Sequence, residues 1–269
     1  MTLRRAVFIT GIVVLCAWTL LPIYLIALGA VGGRAVVNSW PKPFLPPADL
    51  SFGTMRDFLD IAGVWSSALY SVEAAVLCMA FSILLGVPAG YALARFVFVG
   101  ATAYRLLVLL LTRAFPVAIL ALPLTVGFIR LGLYDTPLGV SLMHTALALP
   151  FAVLVSASLF QAIPRELEEA AWVFGCSPVR AFLRVVLPLA LPGIAAIAIF
   201  AFVISWNEVF AASVLTVRHK TLTAYLLSVL SESPLHVQFA GGFVLIIPSV
   251  LFIFLVRKRL FSMWGIANR

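Results

Sequence analysis

The chain has 269 residues, 64% of them hydrophobic and 10% charged, with a net charge of +8 and a mean hydropathy of +1.16. A soluble domain carries about 25% charged residues, so a water-soluble globule is excluded and the chain reads as an all-α polytopic membrane protein. The basic residues punctuate the ends of apolar runs, which excludes a nucleic-acid patch and suits membrane orientation. Three scattered cysteines give neither metal-ligand spacing nor a disulfide framework.

A spanning helix needs about 20 apolar residues. The first such run covers residues 6–31, behind Arg4 and Arg5. It is longer than the roughly 7–15 apolar residues of a signal peptide, so a retained anchor is expected. A proline-rich polar stretch, residues 32–64, forms an outer loop with a short helix near 55–61. Five further apolar runs follow at 65–98, 104–130, 136–160, 186–215 and 239–256, which gives six expected transmembrane helices.

With the N-terminus in the cytoplasm, the inner ends carry eleven Arg and Lys residues and the outer side six. The positive-inside rule therefore places both termini in the cytoplasm. Residues 1–64 read as the first helix with its loop, 65–259 as a core of five helices, and 260–269 as a cytoplasmic tail. Pro88, Pro116, Pro123, Pro150, Pro192 and Pro248, with Gly86 and Gly90, mark places where spans can bend, because proline removes an intrahelical hydrogen bond.

Between the fourth and fifth runs lies a charged cytoplasmic segment. Pro164 suits a first helical position, and Glu166, Glu168 and Glu169 suit the positive end of the helix dipole. The spacing predicts a helix over 164–174. Gly175 supplies its stop, and Pro178 discourages continuation. Leu167, Ala170, Ala171 and Phe174 share one face. A helix of about three turns is marginal alone in water and needs a partner surface. An interfacial lipid helix would carry Lys and Arg, whereas three carboxylates favour docking to a soluble protein.

Glu169-Ala170-Ala171, then Gly175, then Val185 and Leu187-Pro188 resemble the EAA loop of permeases of binding-protein-dependent ABC importers, with valine for the usual isoleucine. Gly86-Val87-Pro88-Ala89-Gly90-Tyr91, Leu131-Gly132-Leu133-Tyr134-Asp135-Thr136, Leu149-Pro150-Phe151 and Trp206-Asn207-Glu208-Val209-Phe210 are similar to elements of the carbohydrate branch, the maltose-type G subunits. The resemblance spans most of residues 65–256. It implies the type I importer permease fold and a second, homologous permease. It also implies two cytoplasmic ABC ATPases that hold ATP and Mg²⁺, and an external solute-binding protein. This chain would bind no cofactor itself and would not be an enzyme. The residues implied to meet an ATPase are Glu168, Glu169, Ala170, Ala171, Phe174, Gly175, Ser177 and Pro178. The tail, Gly265-Ile266-Ala267-Asn268-Arg269, keeps the glycine of such endings but lacks their lysine.

Charges at bilayer depth cost roughly 2.5–3.5 kcal/mol by insertion scales, so Glu73, Arg113 and Glu208 are expected to face protein or water. With Trp206 and Asn207 they form the candidate pathway or gate set. Helix packing and, for Glu73, simple access to outer water are equally open readings. His144 has no second ligand at helical spacing and reads as a packed or hydrogen-bonded histidine; no metal site is expected. The expected function is solute import by alternating access, for a sugar or polyol. An anion, polyamine or phosphorylated solute is the alternative, and a membrane receptor or enzyme without an ATPase is a more distant one.

Overall fold

A computed structural model of the chain describes residues 3–41, 44, 52–95, 117–230 and 232–263. All regular structure among them is helical: α1 (Leu3–Asn38), α2 (Gly53–Leu59), α3 (Val64–Arg95), α4 (Val117–Arg130), α5 (Pro137–Ala162), α6 (Glu166–Val173), α7 (Pro178–Ala181), a π turn (Phe182–Val186), α8 (Leu187–Asn207), α9 (Phe210–Leu215), α10 (Leu222–Leu230) and α11 (Leu235–Met263). Among the described residues, five stretches are long and apolar enough to cross a membrane, with a shorter apolar helix at Ala121–Arg130. That helix belongs to the third expected span. The other half of the span, residues 104–116, lies outside the described residues, as do Pro116, Arg113 and residues 264–269 of the expected tail, whose first residues, 260–263, instead continue α11.

Several boundaries move. The first helix extends past the expected end at residue 31 to Asn38, but it is broken at Gly33, whose φ of 63° is left-handed. Glycine takes this conformation without the Cβ penalty. The short loop helix lies at Gly53–Leu59 rather than 55–61. The expected fifth span, 186–215, is two helices: the apolar run is cut at Glu208, whose backbone turns extended. At its other end the run continues through the π turn and α7. Leu187 N–H bonds the carbonyl of Phe182, five residues back. The reason lies in Pro188, which has no N–H and whose ring crowds the carbonyl four residues before it; a widened turn relieves both.

The chain forms two compact units. In the unit of Met1–Trp65 and Tyr225–Pro248, Phe58 of α2 is buried beside Gly241. Phe239 covers Gly29, Tyr225 donates to the Ala62 carbonyl at 2.6 Å, and Arg34 Nε donates to His236 Nε2 at 3.1 Å. Large apolar side chains along α1 are exposed, Trp18 by 81%, as a lipid-facing helix requires.

The unit of Ser66–Ala224 and Ser249–Arg269 holds the functional elements. Its core has one cluster around Val140, Met143, Ala212 and Leu215 and another around Val87, Phe160, Val186 and Ile197. The contact of α3 with α5 is especially close. A Cβ on Gly86 would lie 2.6 Å from Cβ of Ala152. One on Gly90 would overlap Ser156 and lie 2.7 Å from the Val153 carbonyl. Gly86-xxx-Gly90 thus faces Ala152-xxx-Ser156, small residues at one-turn spacing on both helices. In lipid this is how backbones approach. The sequence alone marks these glycines as bend points; the structure makes them a contact.

Replacing Gly90 with leucine would force α3 and α5 apart. We expect G90L to lower the Tm of the purified protein in detergent, by about 1–3 kcal/mol of stability or more. G11L is the control, because a Cβ there meets nothing within 4 Å.

Candidate functional site

The charged segment forms α6 at Glu166–Val173, inside the expected 164–174. Arg165 is its N-cap and Phe174 its C-cap. All three glutamates lie in its first turn, where the helix dipole favours them. Gly175 adopts a left-handed φ of 85°. Its N–H bonds the Trp172 carbonyl at 2.9 Å, and that of Cys176 bonds the Ala171 carbonyl at 3.0 Å. These two bonds form a Schellman motif, which closes the helix on its last orphan carbonyls. Ser177 then caps α7, its Oγ accepting from Arg180 N–H at 3.4 Å, with Pro178 at the first helical position.

The side chains of α6 are distributed against ordinary amphipathic logic. Val173 is 86% exposed and Phe174 88%; Leu167 and Trp172 are also exposed, with Val179 of α7 beside them. Glu169 and Ala170 face outward. Burial falls instead on Glu168, 2% exposed. The sequence groups Glu168 with the outward docking residues; the structure turns it inward. Tyr91 Oη donates to Glu168 Oε2 at 2.5 Å, and Arg95 Nε donates to Oε1 at 2.5 Å. Arg95 Nη2 also donates to the Ile163 carbonyl at 3.1 Å, and Arg165 Nη2 donates to the Arg95 carbonyl. The Tyr91 ring packs on Phe182 at 4.5 Å and edge-on to Phe160 at 5.4 Å. Removing one partner of such a buried pair costs about 3–5 kcal/mol, because the other charge stays behind unpaired. Beside it opens a cavity of about 530 Å³ lined by Pro88, Tyr91, Arg95, Trp172, Val179 and Phe182, among others.

At the far end of α5, about 39 Å away at helical rise, carboxylates serve as caps. Glu208 accepts from the N–H groups of Ala211 and Ala212, each at 3.0 Å, and so starts α9. His144 is fully buried. Its Nδ1 lies 2.8 Å from Ser205 Oγ and its Nε2 3.2 Å from Glu208 Oε2, an approach whose angle falls short of a hydrogen bond. His144 is therefore the hydrogen-bonded core histidine expected. Of the candidate gate residues, Trp206 is buried and stacked on Phe202. Asn207 is exposed, bonding the Val203 carbonyl at 2.8 Å and Ser249 at 3.3 Å. Glu73 stands exposed on α3. The structure therefore groups Trp206, Asn207 and Glu208 at one helix end. Among the described residues no cluster of metal-binding side chains occurs.

The residue that the sequence places only in a turn is Asp135. It sits at φ 59°, a region in which Asp is enriched. Its Oδ1 accepts from the backbone N–H groups of Val217, Arg218 and His219 at 2.8, 3.1 and 3.0 Å, and its Oδ2 lies 3.2 Å from His219 Nδ1. Burial alone would push its pKa up. The bonds from the His219, Val217 and Arg218 backbone, with the His219 ring, outweigh that and hold the carboxyl below its ordinary value.

Residues 82–260 match the family described as "Binding-protein-dependent transport system inner membrane component". The chain is 33% identical to the trehalose transport system permease protein SugB of Mycobacterium tuberculosis, over 80% of this chain and 81% of that protein. It is 33% identical to the diacetylchitobiose uptake system permease protein NgcG of Streptomyces coelicolor, over 81% and 74%. A putative ABC transporter permease of Streptomyces antibioticus is 38% identical, over 73% and 87%. In fold, the chain is similar to a chain of a bacterial ABC transporter that imports the acidic polysaccharide alginate. The TM-score is 0.73, at 22% identity, covering 97% of this chain and 99% of that one.

A carboxyl with a lowered folded pKa stabilises above its unfolded value of about 3.9, and the contribution is lost as pH falls through the folded value. Amide exchange at Val217, Arg218 and His219, corrected for intrinsic rates, should therefore stay slow at neutral pH and accelerate below that range. In D135N, which tolerates the left-handed backbone but carries no charge, protection should be weaker and flat with pH.

Proposed function

The chain belongs to the binding-protein-dependent transport family of bacterial inner-membrane components, and from that membership we propose that it is one half of a heterodimeric sugar permease. It is a multi-pass subunit of an ABC importer and not itself an enzyme. The family's transport depends on a binding protein, and relatives that are ABC transporter permeases support ATPase subunits as partners. In the proposed assembly a second, homologous permease completes the pathway. Two ATPases hold the ATP and Mg²⁺ beneath it, and the binding protein delivers solute to the outer face. Both termini lie in the cytoplasm, the side that carries eleven of the basic residues.

The observation that carries the mechanism is the inverted burial of α6. A helix that hides a carboxylate and exposes Leu167, Trp172, Val173 and Phe174 would be unfavourable in water without a cover. The cover proposed is the ATPase groove. Closure of the ATPases on ATP would move α6, and the attached helices would then turn the pathway from outward to inward access. Trp206, Asn207 and Glu208 would lie at the outer end, where delivered solute enters. The relatives named for trehalose and diacetylchitobiose uptake support a sugar rather than an ion or a polyamine.

Coexpression of the tagged chain with its transport partners should copurify two ATPase chains and a second permease. The complex, reconstituted with its binding protein, should take up a labelled disaccharide in an ATP-dependent manner. Forcing an L-residue to left-handed φ costs ~1–2 kcal/mol, so G175L should shift the balance between the capped and frayed helix end roughly five- to thirty-fold and lower uptake with it. G175N should be milder. A stable chain without ATPases, or normal uptake by G175L, would count against the reading; a binding protein that retains only amino acids or polyamines would overturn the sugar.

A further inference from the structure

Force applied to α6 has to leave it through something. Covalently, the helix is joined to α5 through Ile163 and Pro164 and to α7 through the Gly175 turn. Its remaining buried link to the bundle is the Glu168 side chain. Packing between α6–α7 and α3 is interrupted by the cavity of about 530 Å³, and the ring contact of Tyr91 with Phe182 lies at the end of α7. The bridge across that gap is polar. Tyr91 and Arg95 hold the two oxygens of Glu168 at 2.5 Å each. Arg95 also holds the Ile163 carbonyl at 3.1 Å, and Arg165 reaches back to the Arg95 carbonyl. Four hydrogen bonds thus run between the last turns of α3 and residues 163–168, centred on one ion pair.

We infer that Tyr91, Arg95 and Glu168 form a clamp that positions α6 against α3 and passes its displacement to that span, so that the ion pair sets how much transport each ATP drives. The inference rests on the coupling role proposed for α6. Displacement of α3 would not be lost at the clamp, because Gly86 and Gly90 seat the same helix directly on the α5 backbone. Arginine suits position 95 because its planar fork donates to a carboxylate and a carbonyl at once, which lysine cannot do with the same geometry. Glu168 is a positioning residue in this scheme, distinct from the exposed Glu169, which remains free to meet the ATPase.

The test uses the whole complex in proteoliposomes, with binding protein, and reads solute moved per ATP hydrolysed. E168Q keeps the side-chain size and removes the charge, and R95Q removes the charge with a shorter side chain. Each should lower the ratio about ten-fold. Y91F, which keeps both charges, should lower it less, and the exchange R95E/E168R should recover much of the loss. A wild-type ratio in E168Q and R95Q would overturn the clamp. So would loss of assembly in both variants without rescue by the exchange, since that result assigns the pair to folding alone. The wild-type complex separates the two readings. If it holds no ATPase, the coupling reading falls and the clamp falls with it; if it couples and the variants couple equally, only the clamp falls.

Discussion

The close approach of α3 and α5 sets the geometry on which the rest of the functional unit depends. Lipid gives two apolar helices no hydrophobic reason to associate, so contact must come from shape. Gly86 and Gly90 remove the Cβ atoms that would hold the α3 backbone away from Ala152, Val153 and Ser156. Tyr91 and Arg95 follow directly on α3, and Ile163 and Glu168 follow on the chain leaving α5. With the two helices seated this closely, side chains of ordinary length meet at 2.5 Å. A wider crossing would leave Glu168 buried and unpaired, a state too costly to persist.

The two ends of the unit treat carboxylates differently. At the α6 end, Glu168 is paired with a guanidinium and accepts a hydrogen bond from a phenol. At the other end, Glu208 and Asp135 take most of their partners from the backbone: Ala211 and Ala212 for one, residues 217–219 for the other. Backbone N–H groups impose direction but carry no side-chain freedom, so these caps fix turns. The ion pair, held by long side chains, can adjust without its partners separating. That contrast would suit the proposed coupling, in which one end is pushed and the other keeps its shape.

Much of this is legible in the sequence. Apolar runs give the long helices, and Pro164, Gly175 and Pro178 bracket α6 to within two residues. The spacing from Glu169 to Pro188 points to the family. What the sequence hides is pairing at a distance. Glu168 and Arg95 lie 73 residues apart, and His144 and Ser205 lie 61 apart. A glutamate in a charged first turn looks solvated unless its partner is known. Gly86 and Gly90 beside Pro88 look like a hinge because a flexible point and a close contact both call for glycine. The break at Glu208 hides within an apolar run, since a carboxylate that caps the next helix interrupts hydropathy no more than one that faces a cavity. Arg113 and residues 264–269 lie outside the described residues.

The π turn at Phe182–Val186 has a consequence for orientation. One extra residue per turn shifts the phase of a helix by about 100°. The α7 side of the rod, with Val179 and the turn to α6, is thereby rotated about the axis relative to α8. The direction in which the exposed apolar surface of α6 and α7 points is thus decoupled from the face that α8 buries against α5. A chain with one residue fewer here could keep every buried contact of α8 and still turn that exposed surface to a different side.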